Sequence, residues 1–170
     1  MILIRCYKFR LPDGRTLDIL AEVVSEISQW LQNVQGEPES GGYLLGYQHR
    51  QTGNITIELL TTPQPKDIRT IISCKLLDIA HYLFLNKMKA SHSYYMGVWH
   101  THPQKNPIPS STDWTDWYAT LNANKTGCGY IFFLIAGTDS FEIWVGDNKS
   151  KRITKMDECN MENGLYIQDK

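Results

Sequence analysis

The chain has 170 residues, a formal net charge of −1, and a composition that is 42% hydrophobic and 21% charged. This length suits one domain, and the composition is that of an ordinary globular protein. No apolar run approaches the roughly 18 residues that a membrane helix needs. The near-neutral charge argues against the broad cationic surface that drives nonspecific nucleic-acid binding. We therefore expect neither a membrane nor a nucleic acid as a partner.

The cysteines favour a reducing compartment. Four are present, scattered without a CxxC pair: Cys6, Cys74, Cys128 and Cys159. Such spacing is typical neither of a disulfide framework nor of a structural zinc site. The first ten residues include three basic ones and are not followed by a small-residue cleavage site, so we expect no secretory signal. These features together predict a cytoplasmic protein.

Local patterns in the first half predict strands around one helix. Residues 2–9 predict a strand that is followed by a Pro-Asp-Gly turn. Residues 21–35 predict an amphipathic helix, because apolar side chains recur at steps of three and four, at Val24, Ile27, Leu31 and Val34. Residues 42–47 and 55–61 predict the two strands of a hairpin, with a Thr-Gly-Asn bend between them.

The second half alternates between helix and strand. The predicted helices cover residues 76–89 and 111–123, and the predicted strands cover residues 94–100, 130–136 and 141–145. The first of these helices should pack through one face, formed by Leu77, Ala80, Phe84 and Met88. The strand at residues 130–136 is a continuous apolar run, which is typical of a strand buried on both faces.

Strands that alternate with helices indicate an α/β protein, with a mixed central β-sheet flanked by helices. No internal repeat, low-complexity run or linker divides the chain. We predict a single domain over residues 1–160 and a polar C-terminal tail over residues 161–170.

Two histidines follow the predicted strand 94–100. Side chains at alternate positions of a strand point to the same side, so His100 and His102 can converge on one point. After a proline-containing loop come Ser110 and Asp113, which lie three residues apart at a predicted helix start and can both face the histidines. Two histidines and a carboxylate are suitable zinc ligands. Three protein ligands leave the fourth tetrahedral position open to water, as in catalytic sites.

Each part of this pattern also has an ordinary explanation. A histidine at a strand end is usually a polar cap, and SxxD alone is usually a helix cap. The conjunction is far more specific and favours a metal site. A base is also needed: Glu39 alone would be a solvated carboxylate, but Gly41 and Gly42 beside it permit close backbone approach. The remaining histidines are predicted not to be ligands: His49, His81 and His92.

Three motifs together resemble a known family: Glu39-x-Gly41-Gly42-x-Leu44-x-Gly46, His100-x-His102-Pro103 and Ser110-x-x-Asp113. They resemble the JAB/MPN domain in its metal-bearing JAMM form, over about residues 18–145. The resemblance implies an MPN/JAB-like, cytidine-deaminase-like fold and a JAMM-type zinc metallopeptidase. It further implies that His100, His102 and Asp113 bind Zn²⁺, that Glu39 is the general base, and that Ser110 stabilises the oxyanion.

A narrower resemblance rests on four peptides: Leu11-Pro12-Asp13-Gly14-Arg15, Thr61-Thr62-Pro63, Gly97-Val98-Trp99 and Phe133-Leu134-Ile135-Ala136-Gly137. These are similar to stand-alone bacterial JAB proteases, which accompany E1/E2-like conjugation enzymes in CBASS-type anti-phage operons. The resemblance implies a deconjugating isopeptidase. Its implied substrate is a ubiquitin-like or cGAS-like nucleotidyltransferase conjugate with an extended C-terminal tail, and its implied operon partners are E1/E2-like proteins.

Three other interpretations stay open. A RadC-like protein of DNA metabolism also carries HxHP and SxxD, but its histidine segment typically reads HNHPSG, whereas this chain has His100-Thr101-His102-Pro103-Gln104-Lys105. A scaffold that holds zinc without catalysis would need neither Glu39 nor Ser110. A phage-tail peptidoglycan enzyme usually carries a second peptidase domain, for which these 170 residues leave no room.

Overall fold

The structure, a computed structural model, describes residues 6–123 and 126–159. The strands are β1 (Cys6–Arg10), β2 (Thr16–Leu20), β3 (Gly41–Gln48), β4 (Ile55–Leu60), β5 (Ile68–Thr70), β6 (Ser73–Lys75), β7 (Tyr94–Thr101), β8 (Tyr130–Ala136), β9 (Phe141–Asp147) and β10 (Ile153–Lys155). The helices are α1 (Ala21–Ser28), α2 (Ile79–Met88) and α3 (Ser111–Ala123), with a 3₁₀ turn at Lys89–Ser91. Within the described ranges, no helix combines the length and apolar character needed to cross a membrane.

Eight of these strands form one mixed sheet, in the order β1-β2-β4-β3-β7-β8-β9-β10. The pairs β2–β4 and β7–β8 are parallel, and the other neighbours in the sheet are antiparallel. Strands β5 and β6 form a separate two-stranded hairpin. The predicted fold class, a mixed central sheet flanked by helices, is therefore confirmed.

Helices cover both faces of the sheet. Helix α1 packs on one face through Val23 and Ile27, and α3 packs on the other through Trp117 and Leu121. Strand β8 lies between them and contributes alternate residues to the two cores: Phe132, Leu134 and Ala136 to the first, and Ile131, Phe133 and Ile135 to the second. Because every residue of β8 is buried, the prediction from its continuous apolar run is confirmed.

Helix α1 is shorter than predicted. The apolar period indicated residues 21–35, but the helix ends at Ser28, and Val34 is 64% exposed. The reason is the buried side chain of Gln32, whose Nε2 donates to the backbone oxygens of Glu37 (3.0 Å) and Ile71 (3.3 Å). These long-range polar contacts hold the chain after α1 in a non-helical path that leads back to the sheet.

The region around α2 differs most from expectation. The helix begins at Ile79 rather than residue 76, because the Asp78 carboxylate accepts the Ala80 N–H at 2.9 Å and caps the first turn. Leu77, predicted to be on the packed face, is 59% exposed, and the one buried residue of α2 is His81. The β5–β6 hairpin was not predicted.

Strands β2 and β10 were not predicted either, whereas the remaining elements lie close to their predicted bounds. Helix α3 occupies the predicted residues 111–123, and β3, β4, β7, β8 and β9 begin and end within two residues of prediction. Strand β1 covers the end of the first predicted strand, of which residues 2–5 lie outside the described residues. The predicted tail at residues 161–170 also lies outside them.

Candidate metal centre

The end of β7 places two imidazoles side by side. His100 and His102 project from the same side of the chain, and their Nε2 atoms are 3.1 Å apart. Thr101 lies between them and is fully buried. The two histidine side chains each keep 12% of their surface exposed. The strand period thus brings the imidazoles together at a point that solvent reaches, as predicted.

Asp113, in the first turn of α3, completes this group. Its Oδ1 lies 3.1 Å from Nε2 of His100, and its Oδ2 lies 3.2 Å from Nε2 of His102. The Ser110 N–H donates to Asp113 Oδ2 at 2.7 Å, and the Asp113 N–H donates to Ser110 Oγ at 3.1 Å. This reciprocal pair resembles a capping box. The local chemistry of the helix start therefore orients the carboxylate towards the histidines.

The three side chains fit a zinc ion. A tetrahedral zinc with bonds of about 2.0–2.1 Å has ligand atoms about 3.3–3.4 Å apart, close to the 3.1–3.2 Å separations of the imidazole and carboxylate atoms. Across residues 6–123 and 126–159, no further His, Cys, Asp or Glu joins this group. Three protein ligands at a partly exposed position are typical of an open, catalytic zinc site rather than a closed, structural one.

Gln104 lies beside Nδ1 of His102. Its Oε1 accepts the backbone N–H of Ile108 at 2.9 Å and lies 3.4 Å from Nδ1 of His102. A proton on Nδ1 can then point at Gln104, which leaves the lone pair of Nε2 for a cation. Sequence reasoning missed this residue, whose only signal is its position in the loop after His102.

Glu39 is brought to the centre by the chain before β3. Strand β3 runs antiparallel to β7, and the Thr101 N–H donates to Ser40 O while the Ser40 N–H donates to Thr101 Oγ1, both at 2.9 Å. The residue after Glu39 is thus bound to the residue between the two histidines. Glu39 itself is only 7% exposed. It is therefore not a solvated loop carboxylate, which is how its sequence position alone would be explained.

The glycines next to Glu39 permit this close approach. A Cβ atom at Gly41 would lie 2.8 Å from the backbone oxygen of Trp99, and one at Gly42 would overlap the backbone oxygen of Thr61. Any other residue at these positions would push β3 away from its neighbours. The expectation of close backbone approach beside Glu39 is confirmed.

Burial and charge shift the pKa values of the two carboxylates of the centre, Glu39 and Asp113, in opposite directions. Burial raises the pKa of Glu39, and Asp113 adds to the effect, although the two histidines partly oppose it. Burial would also raise the pKa of Asp113, but hydrogen bonds from His100 and His102 outweigh it and hold that pKa far below its usual range. For His102, burial lowers the pKa, but the hydrogen bond and charge of Asp113, together with Glu39 and Gln104, raise it by more. The environment thus pushes the pKa values of the two carboxylates apart, as in sites where two acidic groups have different roles.

A family comparison covers this whole centre. The model of the prokaryotic homologs of the JAB domain matches residues 20–151, which include Glu39, both histidines, Ser110 and Asp113. The chain belongs to the prokaryotic JAB family.

Three bacterial relatives in this JAB family are each named a CD-NTase/cGAS isopeptidase. The protein from Escherichia coli (strain TW11681) is 29% identical over 141 residues, which cover 81% of this chain and 85% of that protein. The protein from Vibrio cholerae (strain El Tor Inaba N16961) is 28% identical over 139 residues, with coverage of 80% and 84%. The protein from Pseudomonas aeruginosa (strain BWHPSA011) is 33% identical over 109 residues, with coverage of 62% and 68%.

The tryptophans near the centre of this JAB domain pack rather than project. Trp117 is buried beside the His100 ring, with ring centroids 6.4 Å apart, and Trp99 is 1% exposed and donates to the Thr61 backbone oxygen.

Sequence reasoning missed the polar side chains that connect the base to the ligand strand, above all Gln32 and Arg69. Gln32 stands among other polar residues, Gln29, Asn33 and Gln35, so no sequence signal marked it, and there was none for Arg69.

Proposed function

We propose that this JAB-family protein is a zinc-dependent isopeptidase. Its substrate would be the amide that joins the C-terminus of a cGAS-like nucleotidyltransferase, or of a ubiquitin-like protein, to its target. The names of the three relatives support this substrate class, and a bacterial anti-phage operon with E1/E2-like enzymes is the matching context. One observation carries the proposal: three ligand atoms converge beside a buried glutamate that the adjacent strand holds in place.

His100, His102 and Asp113 would hold the ion. When bound, zinc lowers the pKa of a coordinated water to about 7 and polarises the amide carbonyl. Glu39 accepts the proton of the attacking water and returns it to the leaving amine nitrogen as the C–N bond breaks. Its raised pKa suits this exchange, because burial makes the carboxylate a stronger base.

Ser110 would stabilise the negative charge that develops on the carbonyl oxygen. Its Oγ accepts the Asp113 N–H through a lone pair, which leaves the hydroxyl proton to be donated. Loss of one oxyanion donor typically costs about 100- to 1,000-fold in rate. The cap and the oxyanion donor are thus two roles of one hydroxyl. The extended substrate tail would lie along a strand edge near the centre, since strand addition fixes the register of the scissile bond.

The test is cleavage of a purified conjugate by wild-type protein and by Glu39→Gln. We expect Glu39→Gln to keep about one zinc per chain and to lose roughly 100- to 10,000-fold in turnover, the usual contribution of a general base. His102→Ala should lose both the zinc and the turnover. Zinc is measured by elemental mass spectrometry, and turnover by the appearance of the free C-terminus.

Glu37→Gln is the matched control. Glu37 lies two residues upstream, and its carboxylate accepts the backbone N–H of Val34 outside the centre, so this variant should cleave at the wild-type rate. A Glu39→Gln protein with near-normal turnover would overturn the assignment. A wild-type protein that holds zinc but cleaves no conjugate would favour the scaffold interpretation, and binding to DNA at low salt would favour the RadC-like one.

A further inference from the structure

The β5–β6 hairpin reaches the catalytic glutamate through its first strand. The Glu39 N–H donates to the backbone oxygen of Thr70 at 2.8 Å. The neighbouring residue, Arg69, points its guanidinium at the same segment from the side. A short hairpin that no sequence pattern indicated therefore touches the backbone of the proposed base directly.

Arg69 binds this segment at two points and is itself held by a third. Its Nε donates to the backbone oxygen of Glu39 at 2.9 Å, and its Nη2 donates to Oγ of Ser40 at 2.6 Å. Its guanidinium also lies over the ring of Trp30, 5.5 Å from the centroid. A planar fork with fixed donor directions suits such a paired contact, which a lysine could not reproduce. The side chain of Arg69 thus holds both the Glu39 carbonyl and the hydroxyl of the next residue, Ser40.

The same segment is tied to the metal ligands on its other side. Ser40 exchanges two hydrogen bonds with Thr101, which lies between the two histidines. Thr101 Oγ1 donates in turn to Oε1 of Gln32 at 3.0 Å, and Gln32 Nε2 donates to the backbone oxygen of Ile71 in the hairpin. These bonds form a closed ring from hairpin to base to ligand strand. Ser40, Thr101 and Gln32 are all buried, so water does not compete for them.

We propose that Arg69 is a positioning residue, which holds the Glu39 carboxylate in the geometry that proton transfer requires. This inference rests on the proposed role of Glu39 as the base. Arg69 acts through the backbone of Glu39 and the hydroxyl of Ser40, and it makes no contact with the three ligands. A misplacement of about 1 Å at a reacting group can cost roughly 100-fold in rate, so a loosened Glu39 should lose turnover without losing the metal.

The kinetic test compares Arg69→Ala, Arg69→Lys and Lys75→Ala as purified, zinc-loaded proteins on one conjugate. Lys75 is the other cation of the hairpin, and it is exposed, so it is the matched control. We expect Arg69→Ala to lower kcat roughly 10- to 100-fold, with KM and zinc content within about twofold of wild type. The kcat of Arg69→Lys should fall between those of Arg69→Ala and the wild type, and the kcat of Lys75→Ala should equal that of the wild type. A rise in KM without a fall in kcat would make Arg69 a substrate contact, and loss of zinc would make it a support of the ligands; either result overturns the inference.

A second readout does not depend on activity. The amides of Glu39 and Ser40 are measured by hydrogen exchange, with those of β8 as the check that the fold survives. In Arg69→Ala we expect the amides of Glu39 and Ser40 to exchange roughly 10-fold faster, because two partly buried hydrogen bonds to this segment are lost, while those of β8 are unchanged. Unchanged exchange at Glu39 would overturn the inference.

The two failures are distinguishable. If the wild type cleaves no conjugate but exchange at Glu39 still responds to Arg69→Ala, the proposed function fails and the placement of Glu39 by Arg69 stands. If the wild type cleaves and Arg69→Ala matches it in kcat, only the inference about Arg69 fails.

Discussion

Helices α2 and α3 are attached to the protein in different ways. Helix α3 buries Trp117 and Leu121, and the Trp117 ring stacks on Phe133 with centroids 4.9 Å apart and lies 5.2 Å from that of Trp144. Helix α2 fully buries only His81; Phe84, Leu85 and Met88 are half-buried, and its other large side chains are exposed, Ile79 by 63%, Tyr82 by 62% and Leu83 by 57%. The helix that carries a proposed ligand is fixed by apolar packing. The helix near the hairpin buries less apolar surface and is anchored in addition by the polar contacts of His81.

Those polar bonds form one directed chain. The Tyr43 N–H donates to Thr61 Oγ1 at 2.8 Å, Thr61 Oγ1 lies 2.7 Å from His81 Nδ1, and His81 Nε2 lies 2.6 Å from Asp67 Oδ2. With the imidazole proton on Nε2, the Thr61 hydroxyl donates to Nδ1 and the imidazole donates to the carboxylate. A neutral imidazole satisfies every step of this chain. The Asp67 side chain is inaccessible to solvent. The attachment of α2 therefore depends on a buried carboxylate, whereas that of α3 does not.

The largest loss of stability is expected from a substitution in α3. Trp117→Ala removes a buried aromatic from a packed cluster, and such substitutions cost about 3–5 kcal/mol through lost burial and the cavity left behind. We expect a loss of this size in the free energy of unfolding, with little dependence on pH, as measured by urea denaturation.

Tyr118→Ala is the control for this substitution. Tyr118 is also aromatic and also on α3, but it is 42% exposed and stacks only on Trp114 among the aromatic rings of the described residues. Its loss should cost well under half as much as that of Trp117. Equal costs for the two variants would contradict the view that α3 is attached by its buried face.

An intermediate loss of stability is expected when the polar anchor of α2 is removed. Asp67→Asn removes the charged acceptor of His81, and a hydrogen bond to a charged group contributes about 1.5–3 kcal/mol. Burial alone would raise the pKa of Asp67, but hydrogen bonds from His81 and from the backbone of Asp78 and Gln64 lower it below its ordinary value of 3.8. A lowered folded-state pKa means that the contribution is complete above the unfolded pKa and is lost as the pH falls through the folded one.

The pH dependence sharpens the contrast between the two helices. The stability difference between wild type and Asp67→Asn should be constant above about pH 5 and should shrink as the pH falls below about 4. Urea denaturation at a series of pH values measures it. A difference that grows on acidification would contradict the lowered pKa, and the Trp117→Ala difference should show no such trend.

The smallest effect is expected on the outer face of α2. Leu83→Ser replaces an exposed apolar side chain and should change the free energy of unfolding by no more than about 0.5 kcal/mol. Leu121→Ser, at a fully buried position of α3, is the comparison and should cost several times more. A large loss for Leu83→Ser in thermal denaturation would show that α2 is attached by apolar contacts after all.

The sequence predicted local features of the fold and centre well. Strand β8 was recognisable because its whole apolar run is buried, and α3 because its start signals lie in consecutive residues. His100, His102, Ser110 and Asp113 lie within a short stretch, so strand and helix periodicity suffice to bring them together. The proximity of these residues could be predicted without knowing which distant parts of the chain pack together.

What the sequence did not predict depends on distant polar contacts. The end of α1 is set by Gln32, which bonds Thr101 at a separation of 69 residues, and the apolar stripe gives no sign of it. The β5–β6 hairpin has only three residues in each strand and owes its place to bonds with Glu39 and Ser40. Of the face predicted for α2, Ala80, Phe84 and Met88 are half-buried and only Leu77 is exposed, but the fully buried anchor, His81, was not predicted to pack there.

The two parts of the centre differ in how much of the chain must fold to make them. All three proposed ligands come from residues 100–113, so closing that short loop costs little entropy. The base arrives only when β3 pairs with β7, and Ser40 and Thr101 are 61 residues apart. During refolding, capture of the ion should therefore precede the arrival of the glutamate. On the proposed roles, a partly folded chain that holds metal but lacks its base would hydrolyse bonds only slowly, and metal content alone would not report a completed enzyme.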